Sequence, residues 1–324
     1  MKNLFLKISI FLLGAISLAL ITSCQSQTSA GPTLPIEGTS TPSSSVEAPV
    51  QTPSPAPDYQ VERSNADNPY DPFPYDRVDG FSKPQSEKLS GIVFYPPRET
   101  LFAVSDNGWI IEIKTDGTLI QKRQLRKKAD FEGITYSPAT EMLYVAIEGE
   151  EVILEVNPET LGAEGDIPID RMLEGNILLS PEGNGIEGIA FVPASDATTP
   201  GSFFLVNQSD ELGGTDPSIV FEVDINPDAG EPEARIIRYF SVGVPDLSGI
   251  HYVPSSQRLL IISDSNNLLL EVSLTGEVLE TYPLPGKNQE GVTTDGDGFL
   301  YIAQDKKEAP LKFKALDNRD DTNQ

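Results

Sequence analysis

The chain has 324 residues, with 23 Lys and Arg against 49 Asp and Glu, a net charge of −26, one His and one Cys. That balance excludes a nucleic-acid footprint, which needs cations clustered against phosphate. A single Cys and a single His exclude an internal disulfide and a nitrogen/sulfur zinc site. The length fits one all-β domain of about 230–240 residues plus tails, enough to bury a full core unaided.

At the N-terminus, Lys2 and Lys7 flank the start of a short apolar stretch, Ile8 to Ile21. Ile21-Thr22-Ser23-Cys24 follows and resembles the lipobox of bacterial lipoproteins: an aliphatic residue, two small residues, then Cys. The stretch is short for a permanent span. Residues 1–23 therefore read as a lipoprotein signal peptide and Cys24 as the lipidation site. An uncleaved N-terminal anchor is the other reading. Either way the domain is exported and held at a cell-envelope membrane, plasma or outer. Residues 24–75 carry Pro32, Pro35, Pro42, Pro49, Pro53, Pro55 and Pro57 among Ser, Thr, Gly and Ala. Such a segment buries too little apolar surface to offset its ordering entropy, so it reads as a flexible linker. Its r.m.s. reach is roughly 40 Å.

From residue 76 to 316 the pattern is strand, turn, strand. A short phrase recurs five times, each time opening a strand: Leu89-Ser90-Gly91-Ile92, Phe131-Glu132-Gly133-Ile134, Ile186-Glu187-Gly188-Ile189, Leu247-Ser248-Gly249-Ile250 and Gln289-Glu290-Gly291-Val292. The glycines are 42, 55, 61 and 42 residues apart. An all-strand repeat of roughly 40–50 residues predicts a β-propeller of four-stranded antiparallel blades. Five blades are favoured, and the long second and third repeats leave room for a sixth. The first repeat reads as strands over Gly91–Tyr95, Thr100–Ser105, Trp109–Lys114 and Leu119–Leu125, with Asp106-Asn107-Gly108 as a hairpin signal. Repeat three carries insertions at Ser209–Ser218 and Asn226–Glu233. The last repeat lacks an evident fourth strand, and Tyr75–Phe81 is the candidate to supply it. The basic run Lys122, Arg123, Arg126, Lys127 and Lys128 reads as a solvated turn between blades, with a phosphate or partner patch as the other reading. Residues 317–324 read as a disordered acidic tail.

Two polar series recur in register. The residue before the strand-one glycine is Ser90, Glu132, Glu187, Ser248 or Glu290. The residue after strand two is Asp106, Glu148, Gln208 or Asp210, Asp264 or Asp305. In a propeller both series face one mouth of the central channel. Like charges held close need a cation, protonation or hydrogen bonds. Oxygen donors in such a ring suit Ca²⁺ or Mg²⁺, so Glu132, Glu187, Glu290, Asp106, Asp264 and Asp305 are the candidate metal ligands, with Ca²⁺ as the ion. The same residues also fit plain structural roles, as caps on the next blade's N–H groups and as turn formers. Asp295-Gly296-Asp297-Gly298 lacks the spacing and terminal Glu of an EF-hand and reads as a hairpin turn. His251, inside strand one of the fourth repeat, reads as packed between blades; as a general base it would need Asp246 or Asp264 as partner. No Gly-x-Ser-x-Gly elbow, P-loop or dinucleotide fingerprint occurs, and no catalytic residue is assigned.

Leu-Ser-Gly-Ile followed by Leu-Phe-Ala-Val-Ser-Asp-Asn, then Asp-Phe-Glu-Gly-Ile-Thr-Tyr, resembles the SdiA-regulated (YjiK-like) β-propeller family over about residues 85–314. The phrase is also similar, more distantly, to the esterase-like phytases and the gluconolactonase-type propellers. In the latter a Glu of the Glu-Gly phrase helps hold the catalytic metal, which the resemblance would place on Glu132, Glu187 or Glu290; the rest of that metal set has no match here. The resemblance implies an envelope propeller of undefined biochemical role. Two functions follow as expectations. One is a membrane-tethered, non-catalytic propeller that binds an envelope ligand or protein and a divalent cation at the channel mouth. The other is a metal-dependent hydrolase of phosphoesters, esters or lactones.

Overall fold

The computed structural model describes residues 72–82, 88–179, 184–194, 201–213, 216–226, 232–305 and 309–316. The signal peptide 1–23, Cys24, most of the linker and the tail 317–324 lie outside the described residues.

Among the described residues the chain is all-β, with 22 strands and no helix. Of these, strand β1 (Tyr75–Arg77) comes first. It is followed by a meander of β2 (Gly91–Tyr95), β3 (Thr100–Ser105), β4 (Trp109–Lys114) and β5 (Leu119–Gln124). This is unit one. Unit two is β6 (Asp130–Ser137), β7 (Met142–Glu148), β8 (Val152–Asn157) and β9 (Gly162–Asp170). A small hairpin, β10 (Met172–Leu173) and β11 (Asn176–Ile177), leads on to unit three. Unit three is β12 (Ile186–Val192), β13 (Ser202–Asn207), β14 (Val220–Asn226) and β15 (Glu233–Phe240). Unit four is β16 (Leu247–Val253), β17 (Arg258–Ser263), β18 (Leu268–Ser273) and β19 (Val278–Pro283). Unit five has three strands of its own: β20 (Gln289–Thr294), β21 (Phe299–Gln304) and β22 (Leu311–Ala315). Its fourth is β1, which pairs antiparallel with β22 from Tyr75↔Ala315 to Arg77↔Phe313. The candidate N-terminal strand therefore fills that place, over three residues.

Three details go beyond the sequence reading. Within the described residues the long second and third repeats add the β10–β11 hairpin, not a further four-stranded unit. One pair is parallel: β9 is long enough for its end, Ile169 and Asp170, to meet the edge of β15 at Ala234 and Arg235. The basic run is also less free than a solvated turn. Arg126 bonds Glu150 at 2.6 Å and both oxygens of Asp166 at 2.7 and 2.8 Å, tying unit one to unit two.

The core explains why strands two and three read as nearly unbroken apolar runs. Successive side chains of a strand point to opposite faces, and here both faces are covered. On β3, Leu101 and Ala103 enter a cluster with Ile92, Tyr301 and Ala303, whereas Phe102 and Val104 enter one with Phe131, Ile134 and Val145. Three more clusters fill the gaps between units two and three, three and four, and four and five. The units thus pack face to face in succession, and the cluster of Ile92 and Ala103 with Tyr301 and Ala303 joins the last to the first. The strand-one glycines let the inner strands meet. A Cβ on Gly133 would lie 2.6 Å from the Ile189 nitrogen, one on Gly188 3.0 Å from that of Ile250, and one on Gly291 2.8 Å from that of Ile92.

A second repeat runs along strand three, as Ile111-Glu112-Ile113, Leu154-Glu155-Val156, Phe221-Glu222-Val223 and Leu270-Glu271-Val272. These glutamates are structural. Glu112 accepts from Arg98 Nε (2.8 Å), Thr100 Oγ1 (2.8 Å) and Gln121 Nε2 (2.7 Å). Glu155 accepts from the Tyr144 hydroxyl, Glu222 from Ser202 and Arg238, and Glu271 from Arg258. A buried carboxylate is tolerated when hydrogen-bonded and paired in this way. Unit five has Lys312 in the same register, its Nζ 4.2 Å from the Phe299 ring centre and donating to Thr115 O of unit one.

Candidate functional site

At one end of the cycle lie the starts of the first strands and the ends of the second strands. In units two to five the register of the strand-one ladder slips at the recurrent phrase, between Phe131 and Ile134, Ile186 and Gly188, Leu247 and Gly249, and Gln289 and Gly291. Glu132, Glu187, Ser248 and Glu290 are therefore bulge residues, skipped by the ladder and free to turn their side chains away from it. In unit one Ser90 precedes the strand and its N–H donates to Val104 O.

The bulges bring carboxylates together. Asp130 and Glu148 stand directly opposite one another across β6 and β7. With Glu132 they place one carboxylate oxygen each within 4.8 Å of the others. Two unit charges at that distance repel by about 3.5 kcal/mol at an effective dielectric of about 20. Three ionised carboxylates therefore oppose one another too strongly to persist without protons or a cation. Burial and the charges of Glu187 and Asp130 push the Glu132 carboxyl well above its ordinary range. Glu187, fully buried, is pushed up likewise by burial and by Glu148 and Glu290. Burial and the charges of Asp264, Asp305 and Asp246 raise Glu290 to about 8. Asp106 is raised by burial, with Lys88 opposing and Asp305 and Asp130 adding. All six candidate ligands thus belong to one electrostatic set.

Several of them also do structural work. Glu148 accepts the Gly185 N–H (3.2 Å) and Asp264 that of Gln289 (2.8 Å), each from the segment entering the next unit. The caps therefore come from the strand-two series. In the strand-one series, Ser248 donates to Gln289 O (2.7 Å) rather than capping an N–H. Unit three departs from the pattern: the Ser209 carbonyl accepts the Asp246 N–H (2.7 Å), and Asp210 is exposed.

Sequence reasoning missed Asp130 and Lys88, weighed Asp246 only as a partner for His251, and left Glu148 out of the ligand set. The signal was present two residues before each bulge position, as Lys88, Asp130, Gly185, Asp246 and Asn288. Lys88 is the cation of this series, 2.8 Å from Asp305 and 4.0 Å from Asp106. Gly185 fits because a Cβ there would collide with the Glu148 side chain.

His251 lies on the seam between units four and five. Its Nε2 is 3.1 Å from Thr294 Oγ1 and its Nδ1 3.5 Å from Thr293 Oγ1. The same register carries Thr135, which accepts Phe191 N–H (3.0 Å), and Thr293, which accepts Phe94 N–H (3.0 Å). This is a packing position, without a carboxylate partner in those contacts. Asp295 likewise makes its turn, accepting the N–H groups of Asp297 and Phe299 at 2.9 Å.

A family model described as SdiA-regulated matches residues 80–314. Among solved structures, a glutaminyl cyclase from Myxococcus xanthus is similar, with a TM-score of 0.51 at 15% identity. The likeness covers 75% of this chain and 97% of that one, and it bears on the fold alone.

Proposed function

The chain belongs to the SdiA-regulated family, and on that premise we propose that it is a five-bladed β-propeller, exported and lipid-anchored through Cys24, whose acidic mouth binds a divalent cation and an envelope ligand or protein. The observation that carries the cation reading is the triad Asp130, Glu132 and Glu148, three carboxylate oxygens within 4.8 Å. Oxygen donors of this kind favour Ca²⁺ over softer metals. Glu187 and Glu290 stand next in the ring, and Asp106, Asp264 and Asp305 complete the charge around it. The five stacked units and the five inter-unit cores support the blade number. The signal-like start and the Cys at position 24 support the anchor.

Calorimetric titration of CaCl₂ into residues 25–324 tests the cation reading. Saturable binding is expected in the wild type and a loss of at least tenfold in affinity in Glu132→Gln. Absence of binding in the wild type would sink it. Gas-phase mass of the exported protein, with and without a diacylglycerol adduct on Cys24, tests the anchor.

A second reading has one observation in its favour. Glu290, raised to about 8, is poised to give and take a proton near neutral pH. Beside a cation that polarises an ester, lactone or phosphoester oxygen, it would make the mouth a hydrolase. Turnover of such substrates that needs Ca²⁺ and disappears in Glu290→Gln would establish this reading over the non-catalytic one.

A further inference from the structure

We propose that Lys88 is a resident counter-cation that closes the unit-five/unit-one half of the mouth to metal, so that one divalent cation binds, on the Asp130/Glu132/Glu148 side. This rests on the cation-binding reading above. The five positions two residues before the bulge register are Lys88, Asp130, Gly185, Asp246 and Asn288, so the ring carries an ammonium at one seam and a carboxylate at the next. Lys88 Nζ lies 2.8 and 3.0 Å from the two oxygens of Asp305 and 4.0 Å from Asp106. Those aspartates follow strand two in units five and one. They hold the same register as Glu148, which at the unit-two/unit-three seam belongs to the carboxylate triad. The Lys88 ammonium thus stands where a bound cation would bridge Asp305 and Asp106. Its side chain is 41% exposed, so it contributes little to the core.

A doubly charged ion brought to that seam would face a fixed positive charge within a few ångströms and find two of its donors already engaged. At the Asp130/Glu132/Glu148 seam that register position is itself a carboxylate, Asp130, and the guanidinium described nearby, Arg171, is ion-paired with Glu151. Lysine in this place selects the number and position of metal ions without touching them.

The test is calcium stoichiometry by calorimetry on residues 25–324, in the wild type, Lys88→Arg, Lys88→Gln, Lys88→Met and the double variant Lys88→Gln/Asp305→Asn. One Ca²⁺ is expected in the wild type and Lys88→Arg, two in either neutral variant, and one again in the double variant. A purely structural lysine would alter melting temperature without adding a site. One ion in both wild type and neutral variants would overturn the role of Lys88 and leave the cation reading intact. Two ions in the wild type would also overturn it. No ion in the wild type but one in Lys88→Gln would keep the exclusion by Lys88 and sink the wild-type metal site. No ion in any protein would sink both. Lys88→Gln and Lys88→Met differ in polarity, so a folding defect in one leaves the other to decide.

Discussion

Protonation acts in opposite senses on the groups that the ring shields from water. Glu290 has its folded pKa raised to about 8 from an ordinary value near 4.5. The folded state therefore holds a proton that the unfolded state has lost, and stability from this group is complete below about pH 4.5 and declines as pH rises to 8. Glu132 and Glu187 are raised too and add to the same trend. His251 is lowered to about 4 by burial. There the unfolded state takes up the proton first, so its contribution is complete above about pH 6.5 and is lost as pH falls toward 4. The full shift corresponds to roughly 3 kcal/mol, an upper bound because the imidazole keeps some exposed surface. Melting temperature without added metal is thus expected to fall between pH 6 and 8. Glu290→Gln should flatten that limb, and millimolar Ca²⁺ should raise it. His251→Gln should flatten the limb between pH 6.5 and 4 and leave the alkaline one unchanged. A wild-type alkaline limb that Glu290→Gln does not alter would show that the charge ring is already neutralised by other means.

At the scale of the element, the strand-one phrase combines a bulge with a close approach of backbones. Gly133 shows what the second requires. A Cβ there would meet the Ile189 nitrogen at 2.6 Å and the Gly188 Cα at 2.8 Å, both main-chain atoms that cannot swing aside. Overpacking of this kind costs about 1–3 kcal/mol, or more where backbone must move. Gly133→Ala should therefore lower stability to chemical denaturant by about 3 kcal/mol, whereas Gly296→Ala, with open space around it, should stay within about 0.5 kcal/mol. The same phrase shows how far sequence reading reaches. Strands β3 and β4 were legible to the residue, because apolar runs covered on both faces end at strong turn signals such as Asp106-Asn107-Gly108. The recurrence of Glu-Gly marked the mouth. The bulge itself was not legible, since an isolated glycine in a strand permits either a bulge or close packing and here does both. Without the bulge, the alternation that puts Asp130 beside Glu132 could not be assigned to the mouth. Lys88 was hidden for another reason: its partner Asp305 is 217 residues away and meets it only when the ring closes.

At the scale of the molecule, closure joins the two ends of the described domain at unit five. The ladder from Tyr75↔Ala315 to Arg77↔Phe313 is flanked by backbone bonds from Leu316 N to Pro74 O (3.0 Å) and from Val78 N to Lys312 O (2.8 Å). Phe73 packs on Tyr75 and Phe313 with ring centres 5.3 and 5.2 Å apart, and Ser82 N then bonds Asp116 O of unit one at 2.8 Å. A three-residue strand thereby covers the edge of β22, which would otherwise present unpaired N–H and C=O groups to another chain. It also carries the chain toward Lys88, the cation at the seam of the mouth. Each unit in a cycle has two neighbours, so opening one seam leaves both flanking units with a single packed face. Removing residues 1–70 spares all of these contacts and should leave the melting temperature unchanged. Removing residues 1–77 deletes the ladder and the packing of Phe73 and Tyr75, half-buried side chains each worth part of the roughly 1.5–3 kcal/mol that full burial brings. The shorter protein should melt at least 8 °C lower and run partly as dimers or larger species through the bared β22 edge. Equal melting curves for the two truncations would show that the ring holds its shape without its N-terminal strand, and that the seam at Lys88 is set by units one and five alone.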